Sequence, residues 1–480
     1  MSPLSRSTSI GLVSALLALL AACSAPSSRV DREPVEALAS NALGRPVAWP
    51  EERDARVALE RELDALLAEP LEVDGAVRIA LYRNESLRAE LARLGVDAAE
   101  LARSHTLANP SLSASLRFER GTEGVGVPEF ALTRNLLDLF MRPARVELAA
   151  DALTRARIEL VQTVVQHAFA ARDAYFRARA ARHLLAVETL ATEAADVGFE
   201  LMRRLHDAGN ASERELALEE AAAQNARVAL SQAAEASDAA REALNRELGL
   251  WGADAQRWTV PETLPSLDDS APPAANLEAY ALTHRLDLRA AIAHADGLAA
   301  SLGFERRWSA LSFLGVGIVG ERDGGEWSFG PEIELELPIF DRGEARVAEL
   351  RAELEASEHE LAARAIAIRS EVREAERHRQ HALARARHFR ERIVPAQQRV
   401  LDATQKEFNF MLVGAFELLD AKRAELEASR GAIEALRDAW LADSELARVL
   451  GAPLPGATPP EPPATTDGHD DAHAEHDHGG

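Results

Sequence analysis

The chain repeats itself, and that limits what it can fold into more than any other feature. Ala80-Leu81-Tyr82-Arg83-Asn84-Glu85-Ser86-Leu87-Arg88-Ala89 aligns with Ala281-Leu282-Thr283-His284-Arg285-Leu286-Asp287-Leu288-Arg289-Ala290 at an offset of 201. Phe140-Met141-Arg142 aligns with Phe340-Asp341-Arg342 at offset 200, and Leu248-Gly249 with Leu450-Gly451 at offset 202. Anchors that agree this closely define two copies of one unit, 72–255 and 276–452. Such a unit is far longer than an ordinary solenoid repeat. It is half of a duplicated protein. The stretch between the copies, 256–275, is rich in Pro, Asp and Ser and reads as a linker.

Each copy shows the same order of elements. An opening helix covers about 73–107 and 276–308. Two strand-like runs follow, then a very long helix, a break, and a second long helix ending at the Leu-Gly pair. Composition agrees with this. Of 480 residues 47% are hydrophobic but only 5% aromatic, so Ala, Leu and Val do the packing, with Glu and Arg abundant. Long packed helices have that mixture.

The strands fall at roughly 110–120 and 129–140, then 310–320 and 327–340. Leu112, Ala114, Leu116 and Phe118 alternate with polar neighbours. In the last strand Trp327, Phe329, Ile333, Leu335, Leu337 and Ile339 share one face, and Glu332, Glu334 and Glu336 the other. A hairpin is not stable alone. Strands of about 10 residues, apolar on one face and charged on the other, suit a membrane β-barrel. The three acids would then face the lumen. A barrel in lipid must close, and four strands cannot close one, so this reading requires oligomerisation. A soluble antiparallel sheet with one wet face is the alternative.

Residues 144–205 contain no Pro or Gly apart from Gly198. A helix that long needs a partner along its length. In the second copy Val347, Leu354, Leu361 and Ile368 recur every seven residues beside Leu350, one edge of a coiled-coil seam. The other edge continues as Ser357, Arg364 and Glu371, polar positions expected to face water or a partner chain. Pro395 predicts a kink or break in the first long helix of this copy. The hairpin tips fall at His206–Asn210 and Asn409–Gly414.

Both ends carry signals of their own. Residues 1–22 have the short apolar stretch of an export signal. They end Leu20-Ala21-Ala22-Cys23, which resembles a lipobox, and the chain's only cysteine stands where the lipid would attach. Ser24 favours the outer membrane. Residues 23–71 would be a lipidated N-terminal segment, and 453–480 a disordered tail. The tail holds His469, His473, His476 and His478 among five acids, ligands suited to weak, promiscuous transition-metal binding.

Several function classes drop out. The net charge is −24, from 78 acids against 54 bases. That argues against a nucleic-acid partner, which needs a basic face. A lone Cys excludes a disulfide framework and Cys-rich metal sites. No phosphate loop, nucleophile elbow or zinc-protease motif is present, so no enzyme and no cofactor beyond the lipid is expected.

Four segments carry a family resemblance. They are AVRIALYRNESLRA (76–89), LANPSLSASL (107–116), LELPIFDRGEAR (335–346), and the returning helix from Gly414 to Gly451. In order, and in a duplicated chain, they resemble a TolC-type outer-membrane efflux factor. The resemblance implies a homotrimer. Each protomer would give four strands to a 12-stranded β-barrel, continued by a long periplasmic helical barrel. It implies a passive duct partnered by a periplasmic adaptor and an inner-membrane pump of the resistance-nodulation-division type. It also implies a periplasmic gate ringed by acids, matched here by Glu417 and Asp420. A basic residue that often supports the closed gate is replaced by Val413. LPIFDRGEA and FNFMLVGAFELL look closest to the heavy-metal branch, which with the His-rich tail points to metal cations as cargo. A drug duct of the same family and a non-channel periplasmic coiled-coil lipoprotein are the alternatives.

Overall fold

A computed structural model describes residues 31–117, 126–267, 276–308, 314–323 and 326–453. Cys23 and the four histidines of the tail lie outside the described residues.

The first copy opens with α3 (Val73–Arg83) and α4 (Glu85–Ser104). Strands β1 (Ser111–Arg117) and β2 (Val127–Asn135) come next, then α5 (Leu137–Asp207) and α6 (Glu213–Leu248). The second copy runs α8 (Leu277–His284), α9 (Leu286–Trp308), β3 (Leu314–Asp323), β4 (Glu326–Leu335) and α10 (Glu344–His388). A π-helical turn, Phe389–Ile393, leads into α11 (Val394–Asn409), and α12 (Ala415–Leu450) returns. Two helices precede the first copy, α1 (Glu33–Leu43) and α2 (Arg53–Leu66), and a short α7 (Asp254–Arg257) follows it.

The expected single opening helices are each two helices. Asn84 breaks the first, its side chain accepting from the Ser86 and Leu87 amides as the N-cap of α4. Arg285 breaks the second at the matching place. These two junctions explain the recurrent Leu-Gly pair. Gly249 and Gly451 end α6 and α12 with φ +67° and +73°, the left-handed cap that glycine adopts without strain. Each cap lies against one of the junctions. A Cβ on Gly249 would sit 2.5 Å from the Arg83 carbonyl oxygen, and one on Gly451 3.0 Å from Arg285 Cα.

The strands are shorter than expected at their second ends. β2 stops at Asn135, whose Oδ1 accepts from the Leu137 amide and starts α5. β4 stops at Leu335, just before Pro338. Leu337 and Ile339, expected to extend the apolar strand face, therefore lie beyond β4.

α5 runs 71 residues with Pro143 inside its first turns, roughly 105 Å of helix. α6 begins with a capping box in which Ser212 and Glu215 satisfy each other's exposed groups. Pro395 does not break its helix. The π turn widens the backbone ahead of it, and the Val394 amide reaches back to the Phe389 carbonyl. Phe389 packs on Gly431, where a Cβ would meet its ring at 2.6 Å.

Away from the sheet the helices form one layer in the order α6, α5, α12, then α10 with α11. The seam of α10 differs from expectation. Leu350 and Ser357, on the polar edge, are buried, while Val347, Leu354 and Leu361 are half-buried. Arg364 and Glu371 reach the α8–α9 junction of their own chain while staying partly open to solvent. Arg364 pairs with Asp287, Glu371 with Arg285, and Arg285 with Asp287 at 2.6 Å. Burial works against the Asp287 carboxylate, but Arg285 and Arg364 outweigh it and hold its pKa below the usual value.

The main core gathers around α3 and the middle of α5. Phe176 stacks on Trp440 of α12 with ring centroids 4.5 Å apart. Tyr175 takes a hydrogen bond from Arg179 at 2.8 Å, and burial pushes its hydroxyl up to about 12. The segment ahead of the first copy joins this core through Val35, Ala39, Leu63 and Leu67. The linker, through residue 267, is docked as well: Trp258, Val260, Leu264 and Leu267 are buried, and Trp258 Nε1 donates to Asn245.

Replacing Gly249 by Ala should cost about 1–3 kcal/mol from backbone strain, plus the clash at the junction. Gly252, at φ +61° with nothing near its Cβ position, provides the comparison. Gly249→Ala should lower the apparent melting temperature more than Gly252→Ala, and equal shifts would refute the close approach.

Candidate functional site

The four strands form one antiparallel sheet in the order β1-β2-β3-β4, so the two copies join through β2 and β3. Register separates the faces. Leu112, Leu132, Ile318 and Pro331 lie across from one another on one face, as do Ala114, Phe130, Gly320 and Phe329. On the opposite face lie Ser111, Thr133, Gly317 and Glu332, then Asn135, Gly315 and Glu334. Glu332 and Glu334 therefore share the polar face as expected, opposite glycines. Glu336 stands just past the strand.

Among the described residues nothing covers the apolar face. Leu112, Phe329 and Ile333 are 73%, 73% and 75% exposed. Its aromatic side chains gather near the β3–β4 turn, with Trp327 centred 5.9 Å from Phe130 and 6.0 Å from Phe329. Among the described residues β1 and β4 each pair on one edge only. No helix among the described residues is long and apolar enough to cross a membrane.

At the far end are the hairpin tips. The α11–α12 turn exposes Phe410, Met411 and Leu412, with Met411 at φ +60°. α12 starts at Gly414, and Glu417 and Asp420 occupy its first two turns, three residues apart and both exposed. That spacing puts them on one side of the helix. The Glu417 carboxylate folds back to within 2.9 Å of where a Gly414 Cβ would stand. A helix N-terminus favours such acids.

Just beyond these acids α12 is fastened to the first copy. Arg423 pairs with Glu219 of α6, and Arg430 with Glu188 of α5. Both carboxylates are buried, Glu219 completely. Leu419 rests on Gly198, where a Cβ would meet it at 3.0 Å. Val413 leaves the tip without its expected basic residue, and Arg423 and Arg430 are the cations that tie this part of α12 down. Sequence reading missed all four charged partners. Neither pair shares a helix or a spacing, so no local signal marks them. A groove of about 610 Å³ runs over α5 between α6 and α12, floored by alanines and crossed by Glu188 and Arg430.

No group of three or more His, Cys, Asp or Glu poised to hold a metal occurs among the described residues. Nor does the site bring together a nucleophile and a base. Its charged groups are Glu332 and Glu334 on the polar face of the sheet and Glu417 and Asp420 at the start of α12.

Comparison with known proteins agrees with this geometry. Residues 280–452 match the outer membrane efflux protein family. No curated protein matches the chain. Among solved structures, the outer membrane channel CmeC of Campylobacter jejuni superposes with TM-score 0.67 at 14% identity, covering 89% of this chain and 93% of that one. The outer membrane protein VceC of Vibrio cholerae gives 0.64 at 18% identity, over 79% and 96% of the two chains. The outer-membrane channel OprN gives 0.66 at 21% identity, over 82% and 92%.

Removing Arg423 leaves the Glu219 carboxylate buried without its cation, a loss of about 1–3 kcal/mol or more. Amide hydrogen exchange over 415–430 in Arg423→Ala should quicken by about tenfold or more, and Glu219→Leu added to it should recover part of the protection. Unchanged exchange would show that the pair does not hold the tip.

Proposed function

From a chain that carries an outer membrane efflux protein domain over residues 280–452 on a TolC-type channel fold, we propose an outer-membrane duct of a tripartite efflux system. Three copies close a 12-stranded barrel in the membrane and a helical barrel in the periplasm. Substrate enters from an inner-membrane pump of the resistance-nodulation-division type through a periplasmic adaptor. The supporting observation is the sheet. A four-stranded sheet with an uncovered apolar face and two open edges has unpaired backbone groups that lipid would penalise by several kcal/mol each. Sharing the edges among copies removes that cost. A soluble coiled-coil scaffold gives the apolar face no use.

On this reading Glu332, Glu334 and Glu336 line the lumen at the barrel, and Glu417 with Asp420 ring the periplasmic mouth. In a trimer six carboxylates converge on a narrow axis, repelling one another and attracting cations. The proposed cargo is heavy-metal cations. The acids at the mouth and the His–acid tail at 467–480 favour it. Cys23 would carry the lipid anchor, placing the mature chain in the outer membrane.

The full chain should fractionate with outer membrane and run as a trimer in mild detergent, and a soluble monomer would overturn the duct. In planar bilayers Glu417→Gln with Asp420→Asn should reduce cation selectivity and cation block; unchanged conductance and block would remove these residues from the gate. Radiolabelled palmitate should label the wild-type chain but not Cys23→Ser. Deleting 467–480 should raise cellular sensitivity to a transition metal such as zinc or copper, and equal tolerance would leave the tail without a role.

A further inference from the structure

The helical layer has two flanks, α6 on one side and α10 with α11 on the other. On α6 the side turned to α5 carries Glu219, Ala223, Leu244 and Leu248, all buried. At 100° per residue, Glu235 and Glu242 point away from that side and Asp238 stands at its margin, and all three are exposed. On α10 the side turned to α12 carries Val372, Ala375, Ala382 and Leu383, with Arg379 bonded to Asp443. His378, His381, Arg385 and His388 point away from it, spaced three, four and three, and all are exposed. In a chain of net charge −24, residues 377–399 hold seven Arg and three His against one acid, Glu391.

The two ladders stand at the same height. Thr192 of α5 bonds the Ala226 carbonyl of α6, and Arg227 bonds Asp196. Across the next gap Glu188 meets Arg430 and Phe176 meets Trp440. Across the last, Gly431 meets Phe389 and Asp443 meets Arg379. Following these contacts across the layer puts Glu235–Glu242 level with about Leu383–Phe389.

We infer that these ladders are mating surfaces between copies of the chain. The acidic ladder on α6 of one protomer meets the His and Arg ladder on α10 of the next, whose fixed positive charge is Arg385. Each protomer presents one of each, so the contact is head-to-tail and closes as a ring. Opposite charge at matched height fixes the register of neighbouring helices and disfavours a slipped pairing. The inference rests on the trimer proposed above and adds the side chains that set its register.

The test is a charge swap read by native mass spectrometry of the full chain in mild detergent at low salt. The triple variant Glu235→Lys, Asp238→Lys, Glu242→Lys should weaken the trimer by about tenfold or more, and so should His378→Glu, His381→Glu, Arg385→Glu. Combining the two sets should restore trimers to within about threefold of wild type. That recovery also shows that the single sets had not simply misfolded. A wild-type trimer that either set leaves unweakened, or that the combined set fails to rescue, overturns the ladder. A wild-type chain that never forms trimers overturns the duct reading itself.

Discussion

The seam between α5 and α12 is the contact on which the rest of the structure depends. It is where the helical hairpin of residues 137–248 meets that of residues 344–450 along its length. Phe176 stacks on Trp440 at its upper end, and Leu419 rests on Gly198 near the tips. One turn farther from the tips, Asp443 takes both Arg172, at 3.0 Å, and Arg379, at 2.8 Å, and so links α5, α12 and α10 through one carboxylate. Helices this long gain too little from intrinsic propensity to stand alone. The copies are joined a second time by β2 against β3. With both joints made, neither long hairpin is able to swing independently, and the positions of tips and strands follow from one another.

Much of this was legible in the sequence because the informative patterns are local. The duplication set the order of elements. Alternation along β1 and β4 placed Glu332 and Glu334 on the face away from Ile333 and Leu335, and the register agrees. The tips fell at the expected residues because Gly209 and Gly414 interrupt otherwise helical patterns. Glu417 and Asp420 are on one helix as their spacing required.

What the sequence hid is set by contacts between distant residues. Arg364 and Glu371 look like a failed seam edge until the α8–α9 junction supplies Asp287 and Arg285 against them. The Pro-rich segment after the first copy reads as a linker, yet Arg241 lies over the Trp258 ring, 4.1 Å from its centroid, and fixes it in place. Glu188 and Glu219 look like ordinary surface acids on Ala-rich helices. Only their partners on α12, more than 200 residues away, make them buried ion pairs. Pro395 reads as a kink or break, yet the helix continues because a π turn ahead of it takes up the missing hydrogen bond, with Phe389 packed against Gly431.

The sheet and the helical layer pose the same geometric problem with different penalties. Each is a single layer with two open flanks. The flanks of the sheet are rows of backbone donors and acceptors, which in lipid cost several kcal/mol apiece when unpaired. The flanks of the helical layer have their backbone hydrogen bonds satisfied internally, so only side chains are at stake, and charge pairs at such a surface contribute little individually. A closed sheet is therefore held far more firmly than closed helices. The weakest place is the tip, where α11 has no buried residue and α12 is held by Arg423 and Arg430.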